Sequence, residues 1–207
     1  MSQTTNSKKN IHCLCVGSNE TNCWIYTLPD IRSCAVIDPG ADAPVIIKHL
    51  RQLNLYPKYI LLTHGHWDHI TALPELLQDY VQKPESQGNS ESPAVAIHRD
   101  DASYLKAKPD ILLSDGDIIG PFRVIHVPGH TPGSVAFYDE GADVLFSGDT
   151  LFLGTRGTTD NEGGDHAKII KSLELLLSMK KSIKVYPGHG HETTIAREAA
   201  RGLQYFM

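Results

Sequence analysis

Short apolar runs alternate with polar, turn-rich segments along the whole chain, and their lengths sort them into strands and helices. Apolar stretches at 11–16, 23–28 and 34–37 are of strand length, and Gly17-Ser18-Asn19 and Leu28-Pro29-Asp30 separate them as turns. After Asp38-Pro39-Gly40, residues 43–53 place Val45, Ile46, His49 and Leu50 near helical spacing, which predicts an amphipathic helix. A branched apolar run at 59–62 predicts a buried strand, and a helix is expected over about 74–81, with proline in its first turn. The second half repeats this order. Strands are expected at 94–97, 122–127, 135–138, 144–146 and 183–186, with a short helix at 99–106. A helix N-capped by Asp165 runs to about Met179, and a last helix covers 193–201. No residue-level repeat accompanies the repeated order, which predicts two αβ halves packing their sheets together.

Composition adds limits. A chain of 207 residues fits one domain, with residues 1–10 a polar, disordered tail and 11–207 the folded part. The polar segment 82–93, rich in Pro, Gly and Ser, reads as a mobile surface loop. A formal charge of −5 with scattered acids offers no basic stripe for nucleic acid. No apolar run approaches the roughly 20 residues of a spanning helix, so no membrane partner is expected. No apolar segment of a secretory signal follows Lys8 and Lys9, and Cys13, Cys15, Cys23 and Cys34 lack CxxC spacing. Both features fit reduced thiols in a cytoplasmic protein. The pattern says nothing of oligomeric state.

The chemistry concentrates at strand ends. The run at 59–62 is followed by Thr63-His64-Gly65-His66-Trp67-Asp68-His69, three imidazoles and a carboxylate in one short segment. Such groups at the end of a buried strand must be solvated or satisfied, and both types bind Zn²⁺ and related cations. Three later strands end alike. Val127-Pro128-Gly129 delivers His130, Phe146-Ser147-Gly148 delivers Asp149, and Tyr186-Pro187-Gly188 delivers His189. Seven donors, His64, His66, Asp68, His69, His130, Asp149 and His189, exceed the four of one structural zinc. They suffice for two divalent ions, zinc foremost with iron or manganese as alternatives, sharing a carboxylate and a bridging water.

Thr63-His64-x-His66-x-Asp68-His69, Pro128-Gly129-His130-Thr131-x-Gly133, Ser147-Gly148-Asp149-Thr150 and Pro187-Gly188-His189-Gly190, in this order, resemble the metallo-β-lactamase superfamily. The resemblance implies an α+β fold, an αββα four-layer sandwich of two mixed sheets flanked by helices. Thr21-Asn22-Cys23-Trp24, Gly148-Asp149-Thr150-Leu151-Phe152 and Gly190-His191-Glu192-Thr193-Thr194 are similar to segments of glyoxalase II and its shorter bacterial relatives. By that likeness His64, His66 and His130 hold one metal and Asp68, His69 and His189 the other. Asp149 bridges them, and Asp38 supports the site or merely closes a turn. The implied activity is hydrolysis of a small-molecule thioester such as a hydroxyacylglutathione. A metal-bridging hydroxide attacks the carbonyl, and Asp68 both binds metal and relays a proton.

Two departures bear on substrate. The sequence ends 18 residues after His189, without the C-terminal helical domain of full-length glyoxalase II. In the loop 154–165, Thr158 stands where the short relatives tend to carry Arg, and Arg156 is the residue expected to compensate. The first alternative is a persulfide dioxygenase of the same superfamily, with one iron on His64, His130 and Asp149; Asp68, His69 and His189 would then be idle. The second is a metal-binding module without turnover. β-Lactam and nucleic-acid hydrolysis are disfavoured by the missing export signal and the acidic balance. His12, His49 and His126 read as structural or solvated. His98 is a cap or pocket residue, His166 a candidate for the cleft, and His191 a spare or supporting imidazole.

Overall fold

The computed structural model describes residues 11–82 and 92–207. The expected tail at 1–10 and most of the polar loop expected at 82–93 lie outside them.

The first half runs β1 (Ile11–Val16), β2 (Thr21–Thr27), β3 (Ser33–Ile37), α1 (Ala43–Leu53), β4 (Tyr56–Leu61), α2 (Trp67–Ile70) and α3 (Leu73–Gln82). It continues with β5 (Ala94–His98), a 3-10 helix (Arg99–Tyr104) and β6 (Ile111–Leu113). The second half runs β7 (Ile118–Ile119), β8 (Phe122–His126), β9 (Val135–Asp139), β10 (Val144–Gly148), α4 (His166–Ser178), β11 (Lys184–Pro187), β12 (Thr193–Thr194) and α5 (Ile195–Ala199). Each half builds one six-stranded mixed sheet, ordered β1-β2-β3-β4-β5-β6 and β12-β11-β10-β9-β8-β7. Strands β3 to β6 pair in parallel, as do β10 and β11; the remaining pairs are antiparallel.

Strand alternation separates three apolar layers. In β2, Cys23 and Ile25 face α1 and α3, while Trp24 and Tyr26 face the other sheet. In β10, Val144 and Phe146 join that central layer while Leu145 packs with Leu173 and Leu176 of α4. Helices on both outer faces and a shared core between sheets make the expected αββα sandwich.

Several boundaries differ from expectation for physical reasons. The buried stripe of α1 is Ala43, Ile46, Ile47 and Leu50, which leaves Val45 exposed. Strand β4 starts three residues early; Pro57, lacking an N–H, lies beside the register shift against Cys34 and Ala35. Thr193 and Thr194 pair with Val185 and Lys184 before α5 begins, and Thr194 caps that helix through Arg197 N. Among the described residues no helix is long and apolar enough to cross a membrane.

Candidate metal centre

All seven donors singled out in the sequence meet at one edge of the two sheets. The β4 end supplies His64 and His66, and α2 follows at once with Asp68 and His69. The β8–β9 turn supplies His130, the end of β10 Asp149, and the end of β11 His189. Ligand-type atoms of His64, His66 and His130 lie within 4.8 Å of one another, and so do those of Asp68, His69 and His189. His66 Nδ1 is 2.8 Å from His130 Nε2, and His69 Nε2 is 3.2 Å from His189 Nε2. Asp149 spans both groups. Its Oδ2 lies 3.5 Å from His130 Nε2 and 3.4 Å from His189 Nε2, and its Oδ1 lies 3.5 Å from His69 Nε2. No side chain fits at Gly188, where a Cβ would overlap the Asp149 carboxylate.

The outward ring nitrogens of four of the five histidines are spoken for. His69 Nδ1 donates to Asp38 Oδ2 (3.0 Å), His130 Nδ1 to the Thr158 carbonyl (2.7 Å) and His189 Nδ1 to the Asn19 carbonyl (3.1 Å). Thr63 Oγ1 donates to Asp38 Oδ2 (2.6 Å), so it accepts from His64 Nδ1 (3.1 Å). These bonds fix the tautomer and leave four Nε2 atoms for the centre, the arrangement metal-ligating histidines use. Asp38 is thus more than a turn residue. Its backbone sits at φ 52, and its buried carboxylate also accepts Thr63 N (2.7 Å).

Charge is arranged in two halves. Burial, with His69 and His130 nearby, pushes His64 well below the usual imidazole range. Burial and His130 also lower His66. In the other half, burial opposes charge on His69 but the Asp149 and Asp38 carboxylates outweigh it and raise its pKa strongly. His189 behaves likewise and is pushed up to about 9 by Asp149 and Asp68. Burial is outweighed at Asp149 too, where His69 and His189 hold the carboxyl far below its ordinary range.

These residues fit divalent cations. His64 Nε2 and Asp149 Oδ1 are buried without a hydrogen bond, which is costly unless something else binds them. Ligands about 2.0 Å from a tetrahedral zinc stand roughly 3.3 Å apart, close to the separations between these nitrogens. Five imidazoles and two carboxylates suit zinc, iron or manganese.

Residues 16–189 match the sequence profile of the Metallo-beta-lactamase superfamily. The chain belongs to this superfamily. It is 33% identical over 205 residues to the hydroxyacylglutathione hydrolase GloC of Haemophilus influenzae, covering 91% of this chain and 94% of that protein. Among solved structures it resembles the BLEG-1 B3 metallo-beta-lactamase, with TM-score 0.82, 31% identity, and 92% and 96% of the two chains covered. A di-iron-bound form of TTHA1623 superposes with TM-score 0.78 at 31% identity, covering 91% of this chain and 96% of that one. The superfamily and the His/Asp clusters imply a metal-dependent hydrolase that binds divalent metal.

The remaining histidines take other roles. His98 caps the 3-10 helix through Asp100 N (3.3 Å) and stacks on His126, with centroids 4.2 Å apart and planes 9° apart. Donor atoms of His98, Asp100 and His126 also lie within 4.8 Å. A metal sits in the plane of each imidazole it binds, and two stacked, parallel rings share no such point. His12 and His49 meet edge to face, 5.4 Å between centroids. His166 is exposed and its Nδ1 accepts from Arg156 Nη2 (3.1 Å). His191 lines a groove of about 720 Å³ with Cys13, Glu20, Trp24 and Tyr186, which adjoins the His189 loop at Gly190.

Arg156, the residue expected to compensate for Thr158, is held by neighbouring groups. Its guanidinium donates to the Phe206 and Gly157 carbonyls (2.8 and 2.9 Å) as well as to His166. Other supports come from the Thr21-Asn22-Cys23-Trp24 segment, whose likeness gave no individual role to its residues. Asn22 Nδ2 donates to the Pro187 and Gly190 carbonyls (3.0 and 2.8 Å), and Trp24 Nε1 to Pro187 O (2.9 Å), clamping the loop that bears His189. Asn19 and Thr158 act through their carbonyls. Trp67, between ligands, is 62% exposed at the rim.

Proposed function

We propose that residues 11–207 act as one hydrolase domain that binds two divalent cations, zinc foremost, and cleaves a small thioester of the hydroxyacylglutathione type. The convergence of seven N and O donors at one sheet edge, with Asp149 between two groups of three, carries this reading. Likeness to GloC along nearly the whole chain supports the thioester. A bound pair of such cations supplies an activated water and an electrophilic contact for the carbonyl oxygen. His64, His66 and His130 would hold one cation and Asp68, His69 and His189 the other, with Asp149 reaching both.

The protein's own groups do the rest. Asp38, Thr63, Thr158 and Asn19 keep the imidazoles in the tautomer whose Nε2 faces inward. Asn19 Nδ2 and Thr21 Oγ1 donate to Asp68 Oδ2 (3.2 and 3.4 Å). Burial raises the Asp68 pKa, but His189 and His69 overcome that and keep the carboxylate ionised. Its Oδ2 lies 3.5 Å from His189 Nε2 and 3.9 Å from His69 Nε2, and in this reading Asp68 would both help hold a cation and relay the proton of the reacting water.

The test combines metal analysis of the purified protein with turnover assays. About two metal equivalents and hydrolysis of S-lactoylglutathione, with a β-lactam panel left intact, are expected. Two bound metals without thioester turnover would overturn the substrate. A single iron with oxygen uptake on glutathione persulfide would replace the hydrolase by a dioxygenase.

A further inference from the structure

The carboxylate of Asp101 is fully buried, makes no ion pair among the described residues, and is used by none of the chemistry above. It projects from the 3-10 helix Arg99–Tyr104 between two loops that carry proposed ligands. Asp101 Oδ2 accepts from Gly65 N (2.9 Å), between His64 and His66. The same oxygen accepts from Thr131 Oγ1 (2.6 Å), next to His130, and Oδ1 accepts from Gly133 N (2.7 Å). A side chain at Gly133 would collide with this carboxylate, its Cβ lying 2.6 Å from Asp101 Cγ.

One side chain therefore ties the first sheet's ligand loop to the second sheet's, at the point where His66 Nδ1 and His130 Nε2 come within 2.8 Å. The same helix is anchored a second time. Its cap, His98, stacks on His126, whose Nε2 donates to Pro132 O (2.8 Å) in the His130 loop. Three hydrogen bonds to a buried anion hold more firmly than bonds to a neutral acceptor, and misplacing ligands by fractions of an ångström weakens a metal site.

We propose that Asp101 is a positioning residue for the His64–His66–His130 half of the centre, setting the separation of its two ligand loops and hence that half's metal affinity. The proposal rests on the two-metal reading above, and metal binding itself is its readout. Asparagine at 101 cannot accept all three donors, because its amide group must face either Gly133 N–H or the Gly65 N–H and Thr131 hydroxyl pair.

The experiment titrates the metal-free full chain with Co²⁺, read by visible absorption, and with Zn²⁺ against a chromophoric chelator. His66→Ala and His189→Ala assign each binding step to one half. Asp139→Asn is the control. Asp139 is another buried carboxylate, accepting from Tyr26 Oη (2.6 Å) and Ala142 N (3.0 Å) at the far end of β9. Asp101→Asn is expected to weaken the His66-dependent step about 10- to 100-fold, leaving the His189-dependent step within about twofold. Thr131→Val, which removes one of the three donors, gives a smaller shift in the same step. Asp139→Asn lowers the melting temperature and moves neither step. Unchanged steps in both Asp101→Asn and Thr131→Val, or steps that weaken together, would overturn the proposal. A wild-type protein binding one ion would overturn the two-metal reading, while that ion's response to Asp101→Asn still decides the role of Asp101.

Discussion

Asp38 Oδ2 accepts both His69 Nδ1 (3.0 Å) and Thr63 Oγ1 (2.6 Å), so one carboxylate sets the orientation of two histidines, His69 directly and His64 through Thr63. Every donor at Asp38 points inward, Thr63 N included, so the residue must be an acceptor on both oxygens. In Asp38→Asn the amide group settles where Thr63 Oγ1 can turn to accept. It then faces His69 Nδ1 and favours the tautomer protonated at Nε2, which cannot bind metal. Affinity for the cation held by His69 should fall about 10- to 100-fold, with kcat falling and KM little changed. The loss should be larger at the cation held by His69, which Asp38 contacts directly, than at the one held by His64, reached through Thr63; metal titration and steady-state kinetics check this, and unchanged affinity at the His69-dependent step would contradict it.

The raised pKa of His189, about 9, predicts an inverted pH dependence for the metal-free protein. The folded chain binds this proton more tightly than the unfolded chain, whose imidazole titrates near 6.5. The stabilisation is complete below pH 6.5 and is lost as the pH rises through 9. His69, also raised, adds in the same direction. Metal binding needs both rings deprotonated, so saturating Zn²⁺ should abolish or reverse the trend. His64 and His66, both lowered, act in the opposite sense near pH 6.5, so thermal melts from pH 7.5 to 9.5 with and without metal decide it. A metal-free melting temperature that rises over this range would show that the carboxylates do not hold those protons.

Much of this was readable in the sequence because period and chemistry coincide. Val144, Leu145 and Phe146 alternate between two cores, and each such strand ends in a turn followed by a donor, which made His130, Asp149 and His189 visible beside the His64–His69 segment. What was hidden has no period or no side-chain signature. Helix α2, at four residues, and β7 and β12, at two residues each, are too short for one to register. Asn19 and Thr158 contribute carbonyls that any residue could supply. Asp101 meets its loops only through tertiary packing, accepting Gly65 N and Gly133 N across 36 and 32 positions of chain; Asn22 lies in a segment of recognised likeness, but its reach to Gly190 O across 168 positions is visible only in the fold.

Thr158 offers a gain-of-function test. Its exposed hydroxyl donates only to Asp160 Oδ2 (3.0 Å), while its carbonyl holds His130 through the backbone. Arg156 has one donor on each nitrogen engaged, with Phe206, Gly157 and His166. Thr158→Arg would place a guanidinium on the loop without disturbing the His130 carbonyl. KM for a carboxylate-bearing thioester should drop several-fold with kcat unchanged, as expected for an interaction made equally in ground and transition states. KM for an uncharged thioester should stay the same. Equal effects on both substrates would rule out a charge contact.

Asn22 is the counterpart of Asp101 on the opposite side of the centre. Its buried amide donates to Pro187 O and Gly190 O, and its N–H to Gly188 O (2.7 Å), so it grips the His189 loop on both sides of the ligand. Asn22→Ala keeps the backbone bond and removes the amide donor from Gly190 O, while Trp24 Nε1 still serves Pro187 O. The cost in stability should be about 1–3 kcal/mol, small enough for the chain to fold. The His189-dependent metal step should weaken while the His66-dependent step holds, the reverse of Asp101→Asn. Combining the two substitutions should add their effects, since their hydrogen-bond partners are distinct. A double variant that loses far more than the sum would mean that Asp149 couples the halves, and the same Co²⁺ titration would measure that coupling.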